Sequence, residues 1–154
     1  MSEKVLTFKQ AKNRALKILE YRMHSEKEIY DKLRRAGATP EDIEEVLEFL
    51  REYNFVNDYE YAKMCAKDLK EFKKYGRKRV KMELLKKGIS LPYTENALEN
   101  IEWDEEETLY PMIKKKLGGD FDSKNIDKCV RYFIYKGYGI GDIKRNIEKI
   151  TAEE

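Results

Sequence analysis

The residues with the most chemistry to offer form a dense cationic run: Lys70, Lys73, Lys74, Arg77, Lys78, Arg79, Lys81, Lys86 and Lys87. Ammonium and guanidinium groups neutralise phosphate by releasing counterions, which gives binding that weakens steeply with salt and carries little base preference. Arginine adds two-point geometry for phosphate or carboxylate. Residues 67–87 hold ten Lys or Arg against three acids, whereas residues 38–60 hold one against eight. The formal net charge of +2 therefore hides a segregation of charge along the chain. Phosphates or an acidic protein surface would suit the basic run; a solvated helical face is the plain alternative. Arg34 and Arg35, with Lys9, Lys12, Arg14, Lys17, Arg22 and Lys32, give the first third of the chain a basic character too.

Catalytic chemistry finds less support. His24 is the single histidine, and its neighbour Ser25 is better explained as a helix N-cap than as a nucleophile. Cys65 and Cys129 stand far apart without a CxxC spacing and read as small core residues rather than zinc ligands or a disulfide. The acidic stretch Glu99, Glu102, Asp104, Glu105, Glu106 and Glu107 points in several directions if helical, and acids in a first turn already complement the helix dipole. No phosphate loop of the GxxxxGK type and no Gly-x-Ser-x-Gly elbow occurs. The expectation is a binding protein, not an enzyme, with no cofactor or metal. Eleven tyrosines, among them Tyr21, Tyr30, Tyr75, Tyr132, Tyr135 and Tyr138, could stack on exposed bases, though helical spacing better fits half-buried seams between modules.

The elements that must carry these side chains are helices. Of the 154 residues 40% are charged and 41% hydrophobic, with three prolines and eight glycines, a mixture suited to amphipathic helices. Nothing approaches the roughly 18 consecutive apolar residues of a membrane span, and the N-terminus lacks a signal-peptide core, so a cytoplasmic protein away from membranes is expected. Start and stop signals are explicit. Ser25 to Glu28 reads as a capping box ahead of the stripe Ile29, Leu33 and Ala36. Gly37 then suits a left-handed C-cap, and Thr39-Pro40 opens the next helix, which buries Ile43, Val46, Leu47 and Leu50. Asn57 and Asp58 offer caps for a longer helix carrying Ala62, Cys65, Ala66, Leu69 and Phe72.

Self-comparison turns these helices into an architecture. Gly37, Gly88 and Gly137 recur in matching surroundings: Leu33, Leu84 and Phe133 stand four before, Leu47, Leu98 and Ile147 ten after, and Leu50, Ile101 and Ile150 thirteen after. A helix before each glycine thus faces one after it across a tight turn. Leading helices near 8–23, 57–74 and 104–117 complete three modules, 1–54, 55–102 and 103–154. Units this small should pack on their neighbours, giving an all-α, elongated, curved, solenoid-like body of tandem three-helix, helix-turn-helix-like repeats. Pro111 should kink or shorten the third leading helix, and Gly118-Gly119 marks a flexible break.

With the modules laid out, the chain resembles the RecX family of bacterial regulators of the RecA recombinase from about residue 11 onward. Ala15-Leu16, then Arg22 to Glu28, Leu33 and Gly37 look like the family's opening signature. Leu50 through Asn57-Asp58 with Tyr61-Ala62 carries it on, and Tyr75 to Val80, with Gly76, leads to Glu83-Leu84 and Gly88-Ile89. Ser25, Glu28, Leu33, Gly37, Asp58, Ala62, Gly76, Leu84 and Gly88 are thus the structural positions of the motif. Pro111, the run Glu105 to Glu107 and Gly118-Gly119 depart from the family's average member. A monomer is expected, and the resemblance implies a non-catalytic protein. It would bind RecA and its filaments on single-stranded DNA and inhibit their ATPase and strand exchange, modulating homologous recombination, DNA repair and the SOS response.

Two other readings stay open on the residues alone. One is a stand-alone helix-turn-helix-like DNA-binding protein, weakened by the modest charge bias. The other is a helical scaffold whose partner is only another protein.

Overall fold

The computed structural model describes residues 5–153, and among these every regular element is an α-helix. In chain order they are α1 (Phe8–Tyr21), α2 (Glu26–Arg35), α3 (Pro40–Glu52), α4 (Asp58–Glu71), α5 (Arg77–Lys86), α6 (Leu91–Glu99), α7 (Glu105–Leu117), α8 (Ser123–Tyr135) and α9 (Ile140–Glu153). The sequence signals explain their ends. Ser25 and Glu28 close a reciprocal capping box, with the Ser25 amide donating to Glu28 at 2.9 Å and the Glu28 amide to Ser25 Oγ at 3.0 Å. Thr7 and Gln10 build a second box ahead of α1. Thr39 Oγ1 accepts from the Asp42 amide, with Pro40 in the first turn of α3.

The three glycine turns share one hydrogen-bond pattern. The amides of Ala38, Ile89 and Tyr138 donate to the carbonyls of Leu33, Leu84 and Phe133, and those of Gly37, Gly88 and Gly137 to Arg34, Leu85 and Ile134. That is the Schellman arrangement, in which the glycine takes the left-handed conformation and the residue after it packs on the last helical turn. The φ angles of 104°, 81° and 101° fit it. Leu33, Leu84, Phe133, Leu47, Leu98 and Ile147, read from the repeat as inward-facing, are all buried.

The chain divides into two compact units. One holds the residues through Cys65 together with Leu84–Ala97. Here α1 packs on α3 and α2 around Ala11, Ala15, Ile29, Leu33, Ile43, Val46 and Leu50. The other holds Ala66–Glu83 and the residues from Leu98 onward, where α7 packs chiefly on α9, and α8 on both, around Leu109, Ile113, Leu117, Cys129, Phe133, Ile143 and Ile150. Both cysteines are buried.

Two expectations need correction. Phe72, read as part of the α4 stripe, is 77% exposed: it follows Glu71, the last residue of α4, and its amide still donates to the Asp68 carbonyl, but its ring stays in solvent. Pro111 does not shorten α7, which runs on to Leu117. Pro111 and Glu107, whose carbonyl loses the donor, are both exposed, so water can hydrate the orphaned group. Gly118 is the left-handed C-cap of α7, and Gly119 after it also has positive φ.

Candidate functional site

Each compact unit contains the same joint between the start of one helix and the glycine turn of the following module. In the first unit, Ser25, the N-cap of α2, donates from Oγ to the Lys87 carbonyl at 2.5 Å. A Cβ on Gly88 would stand 2.3 Å from the Lys27 side chain, so the turn lies directly on the first turn of α2. Asp58 adds a second cap, accepting from the Glu26 amide at 3.0 Å. Glu28 faces Arg22 at 3.5 Å and Lys87 at 3.8 Å. Burial opposes its ionisation, but the Ser25 amide, Lys87, Tyr61 and Arg22 outweigh that and hold its carboxyl below the ordinary range. Burial pushes Asp58 the other way.

In the second unit the Gly76 amide donates to the Lys136 carbonyl at 2.8 Å, and Gly76 and Gly137 approach so closely that a Cβ on Gly76 would stand 2.6 Å from the Gly137 carbonyl oxygen. Glycine has no side chain to cap α5, and Glu105 from the first turn of α7 does so instead, accepting from the Arg77 amide at 2.7 Å. Burial and the nearby Asp142 raise the Glu105 pKa, with the Arg77 amide and the cations Arg77 and Lys78 opposing them.

This joint organises the basic run. Arg79 is held between two rings, 4.6 Å from the Tyr75 centroid and 4.4 Å from that of Tyr135, while it bonds Glu83 at 2.9 Å and the Tyr135 carbonyl at 2.8 Å. Its guanidinium clamps the third module's turn. Lys70 lies over the Trp103 ring and donates to the Glu102 carbonyl. Lys73 and Lys74 expose their side chains while their carbonyls accept from Lys136 Nζ at 2.9 Å and Tyr138 Oη at 2.7 Å. Lys78 is exposed and borders a groove of about 350 Å³ lined also by Met82, Ile134, Tyr135 and Ile140. Arg77 and Lys81 belong to the same helix. Sequence reasoning missed two cations that the fold adds: Lys136, over the rings of Tyr75 and Tyr132, and Lys116, 4.1 Å from the Tyr132 centroid. The recurrence of tyrosine around the Gly137 turn was the available signal.

The remaining candidates lie in the first unit. Lys87 is engaged with Glu28 and lies over the Tyr61 ring, Arg34 donates to the Ala38 carbonyl at 3.0 Å, and Arg35 and Lys86 are exposed. Of the tyrosines, Tyr138 is buried with its pKa pushed up to about 12 by burial and by Glu105, while Tyr21 is 90% exposed.

Arg77, Lys78 and Arg79 stand in the first turn of α5, which has no acid of its own, and the Glu105 carboxylate from α7 supplies the negative charge that the positive end of the helix dipole favours. The geometry suits an electrostatic interface with aromatic rings beside it. Among the described residues no cluster of three or more histidine, cysteine or acidic side chains is placed to hold a metal, and no helix is long and apolar enough to cross a membrane.

Comparison with known proteins places this architecture. Residues 11–50 match the first RecX three-helix domain and residues 57–98 the second. A regulatory protein RecX from Clostridium perfringens (strain 13 / Type A) is 33% identical over 155 residues, covering 96% of this chain and 71% of the relative. The chain belongs to the RecX family. A RecX from Caldanaerobacter subterraneus subsp. tengcongensis is 34% identical over 139 residues, covering 89% of this chain and 68% of its own. The crystal structure of RecX from Lactobacillus salivarius aligns with a TM-score of 0.78 at 25% identity, over 94% of this chain and 97% of that one. RecX proteins carry the description of regulatory proteins, and the tandem three-helix domains here are theirs. Both matched RecX domains end before α7, so Lys116, Tyr132, Tyr135 and Lys136 lie beyond them.

Proposed function

We propose that this chain binds the RecA recombinase filament on single-stranded DNA and restrains its ATP hydrolysis and strand exchange. The observation that carries the reading is the match to both RecX helical domains. Its mechanism is interaction, not reaction, and its working parts are the modules 1–54, 55–102 and 103–154. The exposed cations Lys73, Lys74 and Lys78, gathered with Lys116 and Lys136 around the Gly76 and Gly137 contact, meet DNA phosphates or an acidic protomer surface. Lys86, Arg34 and Arg35 add charge elsewhere. Arg79 keeps the turn beneath them in place. The protein acts as a monomer in the cytoplasm.

The test is RecA ATPase on single-stranded DNA as the protein is added at substoichiometric ratios. Suppression that weakens when Lys73 and Lys78 are both changed to Glu, with helicity unchanged, supports the reading. An unaffected ATPase together with no binding to the filament sinks it. Equal binding to duplex DNA without RecA would favour a stand-alone helix-turn-helix-like role.

A further inference from the structure

Away from the α5 joint, the first module carries a cleft of about 1200 Å³ along α1. Arg14 and Lys17 form its α1 side, Arg22 and His24 come from the link to α2, and Lys32 stands on α2 itself. Among the described residues no carboxylate lines it, although the chain has almost as many acids as bases. Such a concentration of one sign lowers the free energy of a polyanion inside the cleft and speeds its arrival.

The cleft floor is built. His24 is 97% buried, with a relative exposure of 3%. Its Nε2 lies 2.9 Å from Lys32 Nζ, and an ammonium can only donate, so Nε2 accepts and Nδ1–H donates to the Arg22 carbonyl at 3.0 Å. The neutral imidazole thereby holds the Lys32 ammonium at the cleft. Burial, Arg22 and Lys32 all favour that neutral form, against the Arg22 carbonyl and the charge of Glu28. Tyr21, which also lines the cleft, is 90% exposed. Asn13, Lys17 and Tyr21 follow one another at four-residue spacing, so an amide, a cation and a ring line one side of the helix.

We propose that this cleft binds single-stranded nucleic acid, with Arg14, Lys17 and Lys32 on consecutive phosphates and Tyr21 stacked on an unpaired base. A cationic groove bordered by an aromatic face is the combination that grips a single strand without reading its sequence. An acidic protein segment would use the cations but would leave the ring without a partner. The assignment is separate from the filament reading, since the cleft requires no recombinase.

Because His24 is the only histidine, its imidazole resonances report on the cleft alone. The experiment titrates the full chain with fluorescein-labelled oligothymidylate, following anisotropy and the His24 signals, without RecA. Binding should shift the His24 signals and raise the pH at which they titrate, because a phosphate beside Lys32 favours the imidazolium. Arg14→Glu with Lys17→Glu should weaken binding at least tenfold and flatten its salt dependence. Tyr21→Ala should cost on the order of tenfold, and Tyr21→Phe should restore it. The proposal is overturned if saturating oligonucleotide leaves His24 unmoved, or if the double reversal binds like the parent. It is equally overturned if polyglutamate shifts His24 as the oligonucleotide does while Tyr21→Ala is silent, which would assign the cleft to an acidic protein. ATPase suppression can fail with these results intact, so the two readings stand or fall separately.

Discussion

Single residues here reveal what their module asks of them. Thr94 is fully buried and its hydroxyl has no hydrogen-bond partner, at the position that the flanking modules fill with Ile43 and Ile143. An unmet buried hydroxyl costs more than the lost methyl contact, so Thr94→Val should raise stability by about 1 kcal/mol in urea unfolding. A loss of that size instead would show that the hydroxyl is bonded. Glu28 gives a pH signature. Its folded pKa lies below its ordinary 4.5, so its contribution is fully present above that value and is lost as pH falls through the depressed one. Glu28→Gln should therefore be less stable at neutral pH and show a shallower loss between about pH 6 and pH 3. Asp58, raised by burial, opposes this, since its ionisation costs stability that returns as it protonates. Both slopes are read from unfolding free energies measured across that range.

At the scale of elements, the joint between helix start and glycine turn dominates. Gly137 combines φ of +101° with an imagined Cβ only 2.4 Å from Arg79 Cβ and 2.5 Å from its amide nitrogen. Gly137→Ala should cost several kcal/mol, because left-handed strain of about 1 kcal/mol adds to a backbone clash. Gly119→Ala, with φ of +79° and open space around it, should cost only about 1 kcal/mol. Similar losses in thermal unfolding would mean that the two helices do not depend on close approach. The link from α4 to α5 poses the reverse case. Lys74 has φ of +57°, where glycine would be easier, and its carbonyl is fixed by Tyr138. Lys74→Gly should leave stability equal or raise it by up to about 1 kcal/mol. If the filament reading holds, the same change weakens ATPase suppression, separating charge from fold in one substitution.

For the whole molecule, charge placement counts for more than charge total. On the proposed filament reading, suppression of RecA should fall as salt rises, and the double change of Lys73 and Lys78 should reduce the slope of that dependence as well as its level. An unchanged slope would move the electrostatic contact elsewhere on the molecule. The family's two matched domains lie between residues 11 and 98, whereas the cations of the second unit's joint are completed by Lys116 on α7 and Lys136 after α8.

The sequence by itself determined the helices, their caps and the three turns. Each depends on residues within a few positions of one another: Ser25 with Glu28, Thr39 with Pro40, and a glycine four after an apolar residue. Burial at Leu33, Leu84 and Phe133 followed because local periodicity fixes which side of a helix faces its neighbour. Only the tertiary structure decided which basic residues stay exposed. Arg79 and Lys78 are adjacent and chemically alike, yet one is clamped between Tyr75 and Tyr135 and the other faces solvent. Glu105, one acid in a run of four, caps a helix twenty-eight residues earlier. These pairings join segments far apart in the chain, and no local spacing encodes the distance at which two folded surfaces meet.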